Sequence, residues 1–161
     1  IYPQVEGTSG TGTDGEIGYG VNYSGVEGLS LSYATTDVND HTSTGAGDNS
    51  VIKATYAYGP VTVGFSEMEH DENNTSGAGD ITMTSYNISY TVSDDISVSY
   101  GTEESNKGSA TTDLEVSGIT ASYTSGGMTL SLTMQELENG NWGTGSEEDM
   151  DFYALGASFA F

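Results

Sequence analysis

The sequence predicts an all-β fold: a transmembrane antiparallel up-and-down β-barrel, with about nine strands present in this chain. Three observations carry that reading. Apolar residues recur with period two, connections alternate between short and long, and the apolar phases hold no charge. A strand turns successive side chains to opposite faces, so the first observation gives each strand one apolar face. The other two suit a wall between lipid and water that keeps its tight turns on one side.

The strands follow in order. Ile17, Tyr19, Val21 and Tyr23 alternate with Gly18, Gly20 and Asn22. Leu29, Leu31 and Tyr33 alternate with Ser30 and Ser32, and Ile52, Ala54, Tyr56 and Tyr58 with Lys53, Thr55 and Ala57. Val61, Val63 and Phe65 form the fourth apolar phase, Tyr86, Ile88, Tyr90 and Val92 the fifth, and Ile96, Val98 and Tyr100 the sixth. Ile119, Ala121 and Tyr123 come next, then Met128, Leu130, Leu132 and Met134. The last strand sets Tyr153, Leu155, Ala157, Phe159 and Phe161 against small residues. Two stretches break phase: Ile81 and Met83 oppose Tyr86 and Ile88, and Leu114 and Val116 oppose Ile119 and Tyr123. Bulges and strand extensions beyond a membrane both account for this.

Short links fall near 24–28, 59–60, 93–95 and 125–127, and long polar ones near 38–49, 70–80, 105–112 and 138–149. Tyr23, Tyr58, Tyr90 and Tyr123 each stand just before a short link, and Phe159 and Phe161 stand at the end that meets the same side. Together they are expected to form an aromatic girdle at a lipid interface.

Composition narrows the partners. Two basic residues, Lys53 and Lys107, face 24 acidic ones, which excludes nucleic acid as a ligand, because phosphate needs positive charge. Without cysteine there is no disulfide scaffold. No run approaches the ~20 apolar residues of a membrane helix. The acidity also reads as a device for solubility or for a salty habitat. Asp37, Asp40, Asp48, Glu69, Asp71, Glu72, Glu103, Glu104, Glu147, Glu148 and Asp149 gather at the long links and are expected to form an acidic vestibule. The polar phase supplies candidate pore-lining residues: Asn22, Lys53, Thr55, Asn87, Ser99, Thr133 and Gln135. Lys53 falls in the permitted phase, since a lysine facing mid-bilayer lipid costs about 2–4 kcal/mol.

No catalytic set is legible, and an enzyme is not expected. His41 and His70 fall in long links without a spaced metal or nucleophile partner. The adjacent pairs Glu103-Glu104 and Glu147-Glu148 would point to opposite sides of a strand, which disqualifies them for joint acid–base work. No cofactor and no firm metal site are expected. Asp37, Asp40 and Asp48 offer hard oxygens for weak Ca2+ or Mg2+ binding, with a solvated acidic rim as the plainer reading. Asn74-Thr75-Ser76 and Asn87-Ile88-Ser89 match a glycosylation sequon, and Asn87 would lie in the lumen of a barrel. Trp142, in the last long link, is read as an anchor of loop packing by default, with the upper membrane interface as the alternative.

The closing segment Tyr153 to Phe161, together with Gly18-Tyr19-Gly20-Val21-Asn22-Tyr23 and Ala54-Thr55-Tyr56-Ala57-Tyr58, resembles the C-terminal portion of Gram-negative general porins. The resemblance implies a barrel in the bacterial outer membrane, commonly of 16 strands and often a homotrimer. It implies that the outer-membrane assembly machinery reads the terminal strand through Phe161. The chain departs from the family in lacking a legible inward-folded constriction loop and the basic ladder opposite it. Two basic residues cannot form such a ladder.

Residues 1–15 are read as an external loop or strand stub, and residues 16–161 as the C-terminal strands of a porin domain. A single-chain bacterial barrel has an even strand number with both ends on one side. Nine strands therefore leave an odd number to be supplied, or one fewer if Ile1 to Val5 is itself a strand, and seven would give 16. Nine or ten strands closing alone would leave a narrow lumen largely filled by side chains. The expected function is passive diffusion of small hydrophilic solutes and ions through a water-filled channel, with a preference for cations. A soluble or surface-displayed acidic β-sandwich that binds a partner through its loops is the competing reading. A barrel that only anchors its loops is the third.

Overall fold

The computed structural model describes residues 16–38, 47–72, 76–145 and 148–160. These form nine strands: β1 (Glu16–Tyr23), β2 (Leu29–Val38), β3 (Asp48–Tyr58), β4 (Val61–Asp71), β5 (Ile81–Ser93), β6 (Ile96–Lys107), β7 (Leu114–Ser125), β8 (Met128–Glu138) and β9 (Met150–Phe159). They make one antiparallel sheet in sequence order, each strand paired with the next, so β1 and β9 are its edges. This is the up-and-down topology that the alternation predicts.

The short links sit together at one end of the sheet, here the turn end, and the long links at the other, the loop end. Local chemistry explains the tight turns. Gly126 and Gly127 both adopt positive φ, 57° and 82°, as a two-residue hairpin turn matched to strand twist demands. Gly59, with φ 57°, opens the Gly59-Pro60 link between β3 and β4.

Register divides every strand into two faces. Phe65 stands opposite Tyr86 with ring centroids 5.3 Å apart, Tyr56 opposite Val63, Ile88 opposite Tyr100, and Leu132 opposite Leu155. These residues and their phase partners make a continuous apolar face. No hydrophobic side chain among the described residues is buried. Tyr56, Ile88, Leu130 and Leu155 retain 43%, 47%, 37% and 81% of their accessible surface, so the apolar stripes do not meet in a dry centre.

The structure decides between the two readings of the phase breaks and corrects one expectation. Ile81–Met83 and Leu114–Val116 are strand extensions and not bulges. β5 and β7 run through both stretches in unbroken pairing, and these residues belong to the polar-phase face near the loop end. The one register shift in β5–β6 lies between Thr91 and Ser93, beside the turn. The strands also run further toward the loop end than the apolar periodicity reaches. Asp37, Asp48, Glu69, Asp71, Glu103 and Glu104 therefore stand on strands and not in links, as does His70 on β4. Residues 1–15, Asp40, His41, Asn74, Glu147 and Phe161 lie outside the described residues.

Candidate functional site

The polar face is built from cross-strand rows. One row runs Asn22, Ser32, Lys53, Ser66, Ser85, Glu103, Val116 and Leu137. The next toward the turns runs Ser30, Thr55, Gly64, Asn87, Gly101, Gly118, Gln135 and Phe152. A third carries Ala57, Thr62, Ser89, Ser99, Thr120, Thr133 and Ala154. All seven candidate pore-lining residues thus share one face and three adjacent rows, although they come from five strands.

Hydrogen bonds tie this face together across strands. The Ser85 hydroxyl donates to Glu103 Oε2 at 2.7 Å. Ser97 and Ser122 hydroxyls lie 2.7 Å apart, and those of Thr120 and Thr133 3.4 Å apart. His70 Nδ1 sits 2.8 Å from Asn49 Oδ1, nearer the loop end. Hydroxyl and amide pairs of this kind satisfy one another while leaving lone pairs for water. A hollow of about 490 Å3 lies where Gly101 and Gly118 stand side by side.

Charge divides unevenly between the faces. Lys53, Lys107 and Glu103 are on the polar face. Asp37, Asp48, Glu67, Glu69, Asp71, Glu104, Glu115, Glu136, Glu138 and Asp151 are all in phase with the apolar face, beyond its apolar band. Of the vestibule candidates on strands, only Glu103 therefore looks onto the polar face. The rule that adjacent carboxylates in a strand diverge holds for Glu103 and Glu104. Glu72, Glu148 and Asp149 stand in links, where the Glu72 N–H donates to Asp80 Oδ1 at 3.0 Å and the Asn139 N–H to Asp149 Oδ1 at 3.0 Å. Among the described residues no three His, Asp or Glu side chains converge to hold a metal. Asp48 pairs across strands with Asp71, and Asp37 with Ile17.

The aromatics Tyr23, Tyr58, Tyr90, Tyr123 and Phe159 are all on the apolar face at the turn end, and all are exposed.

Trp142 anchors loop packing, and its place in the fold was not foreseen in the sequence. The β8–β9 link folds onto the loop end of the polar face. Trp142 donates its indole N–H to the Ser105 carbonyl at 2.9 Å, and Lys107 Nζ stands 4.9 Å from the ring centroid. Thr112 Oγ1 donates to the Trp142 carbonyl at 3.1 Å, and Asn139 Nδ2 to the Asp113 carbonyl at 3.0 Å. Ser105 is buried beneath it at 3% exposure. Asn139, Asn141 and Trp142 all adopt φ near 54°, a conformation that side chains resist and that surrounding bonds must hold. The signal available was a lone Trp amid Gly and Asn, which announces packing without saying where.

Comparison with known proteins bears on the fold. No family model matches the chain, and no curated protein matches it. Among solved structures the chain is similar to a porin refined at 1.8 Å resolution, with a TM-score of 0.65 and 18% sequence identity. The match covers 87% of this chain and 50% of that porin, so the chain spans about half the porin's length. The nine-stranded sheet thus has the fold of part of a porin β-barrel wall.

Proposed function

We propose that this chain forms part of the wall of an outer-membrane porin, a non-enzymatic, water-filled channel for passive diffusion of small hydrophilic solutes and ions. One observation carries the reading: a single sheet has an apolar face with no charge in its band, an opposite face rich in Ser, Thr, Asn, Gln and Gly, and, among the described residues, no buried apolar core. In water such a sheet exposes an apolar surface far larger than soluble monomers tolerate. With acyl chains on one side and solvent on the other, both faces are satisfied. A β-sandwich would need a second sheet over the apolar face, and the described residues make only one.

Asn22, Lys53, Thr55, Asn87, Ser99, Thr133 and Gln135 then line the pore. The link carboxylates Glu72, Asp80, Asp113, Glu148 and Asp149, with the outward belt below them, give the mouth a negative potential that favours cations. The preference is modest, because both lysines stand on the polar face while ten strand carboxylates are turned away from it. In this reading the chain sits in the bacterial outer membrane, is recognised by the assembly machinery through Phe161, and works as a homotrimer. Weak Ca2+ or Mg2+ binding belongs to the rim carboxylates and has no catalytic part.

Single-channel recording of the full-length protein in asymmetric KCl tests this. The expected result is a steady open conductance with a reversal potential of cation sign that shrinks as salt rises. A reversal potential of chloride sign rejects the cation preference, and absence of conductance rejects the channel.

A further inference from the structure

The hollow on the polar face differs from the wall around it. Gly101 and Gly118 are direct cross-strand partners, so two side chains are missing side by side. The same row supplies an amide on either flank, Asn87 and Gln135. Gln135 leans over Gly118 at the edge of the hollow, whereas the Asn87 amide leans over Gly64, on the far side from Gly101. A Cβ at Gly64 would lie 2.6 Å from Asn87 Nδ2, and one at Gly118 would lie 2.8 Å from Gln135 Cγ. Glu103, two residues along β6 from Gly101, adds the one strand carboxylate on this face among the residues whose side chains are described, and the Ser85 hydroxyl fixes one of its oxygens. The other oxygen keeps its lone pairs for a donor that enters the hollow.

We infer that this hollow is a wall subsite for small hydroxylated amines, of which an amino sugar is the type. The ammonium binds Glu103 by a charge-assisted hydrogen bond, and the hydroxyls bind the Gln135 amide. The volume of about 490 Å3 suits a small organic molecule rather than a single ion. Glycines make the floor because a larger residue at 118 would meet the Gln135 side chain and the Met134 carbonyl, and one at 101 would fill the hollow. The inference rests on the channel reading only for the route by which solute reaches the wall.

Saturation-transfer NMR on the detergent-solubilised full-length protein reads binding without conduction, with glucosamine and glucose as probes. Glucosamine is expected to bind at least tenfold more tightly than glucose, and Glu103→Gln to weaken it about tenfold. Gly101→Val abolishes binding. Its Cβ meets nothing nearer than the Tyr86 carbonyl at 3.5 Å, so the strand itself accepts it. Glu115→Gln, on the opposite face, leaves binding unchanged. Equal binding of both sugars, no effect of Glu103→Gln, or an equal loss in Glu115→Gln overturns the subsite. A protein that conducts ions but binds no glucosamine loses the subsite and keeps the channel. One that binds glucosamine but does not conduct keeps the subsite and loses the channel.

Discussion

Tyr23 on β1 and Phe159 on β9 stand at the same end of the same face, yet the cross-strand row that starts at Tyr23 arrives on β9 at Asp151, eight residues short of Phe159. Eight residues over eight strand-to-strand steps is a slip of one residue per strand. A rise of about 3.4 Å per residue and a strand spacing of about 4.8 Å turn that slip into a tilt of about 35°. An aromatic ring at constant depth therefore requires strands inclined as they are in closed barrels.

Polarised infrared spectroscopy of the full-length protein in oriented bilayers checks this relationship. The strands are expected to lie about 35–45° from the membrane normal. An order parameter for strands near the normal would contradict a girdle made of Tyr23, Tyr58, Tyr90, Tyr123 and Phe159.

Neighbouring positions on β5 should respond oppositely to charge. Ile88 is in the apolar band and Ser89 is its neighbour on the other face. Ile88→Lys is expected to cost about 2–4 kcal/mol in denaturant unfolding from phospholipid vesicles. Ser89→Lys, placed in water, should cost less than about 0.5 kcal/mol. Similar costs at both sites would mean that the apolar face does not meet lipid.

The outward belt contains a like-charge row. Glu115 stands directly opposite both Glu104 and Glu138, and all three are exposed. Like charges so placed repel. Glu115→Gln should stabilise the sheet by about 0.5 kcal/mol at low ionic strength, and the gain should vanish as salt screens the row. Unfolding curves at two salt concentrations read it, and a gain that persists at high salt would exclude repulsion as its source.

The Trp142 contact predicts a graded response. Trp142→Phe keeps a ring near Lys107 but removes the donor to the Ser105 carbonyl, at a cost of about 0.5–1.5 kcal/mol. Hydrogen exchange should quicken in the β8–β9 link and stay unchanged in β2 and β3. Equal exchange everywhere would show that the indole N–H does not hold the link.

Much of the fold was legible because its signals are local. Period two is written into each strand, and Gly126-Gly127 carries its turn in two residues. The ends of the strands were not legible. Asp37 follows Leu29, Leu31, Tyr33 and Thr35 in parity, so its face could be read only if β2 were known to reach it. That extension depends on pairing with β1, where Asp37 meets Ile17 at the far end of the hairpin. The apolar residues Ile81, Met83, Leu114 and Val116 looked like defects for the same reason. Their strands continue past the band, where the rule that apolar means outward no longer applies.

By itself the sequence determined that the chain is β, which face of each strand is apolar, and which end holds the tight turns, since each depends on residues within one or two positions of one another. The tertiary structure decided which residues stand beside which. It set Gly101 against Gly118, placed Glu103 two residues above that gap, turned ten strand carboxylates away from the polar face, and laid Trp142 over Ser105. Register is a choice among possible alignments of neighbouring strands, and a slip of one residue exchanges the faces. Packing across the whole sheet makes that choice.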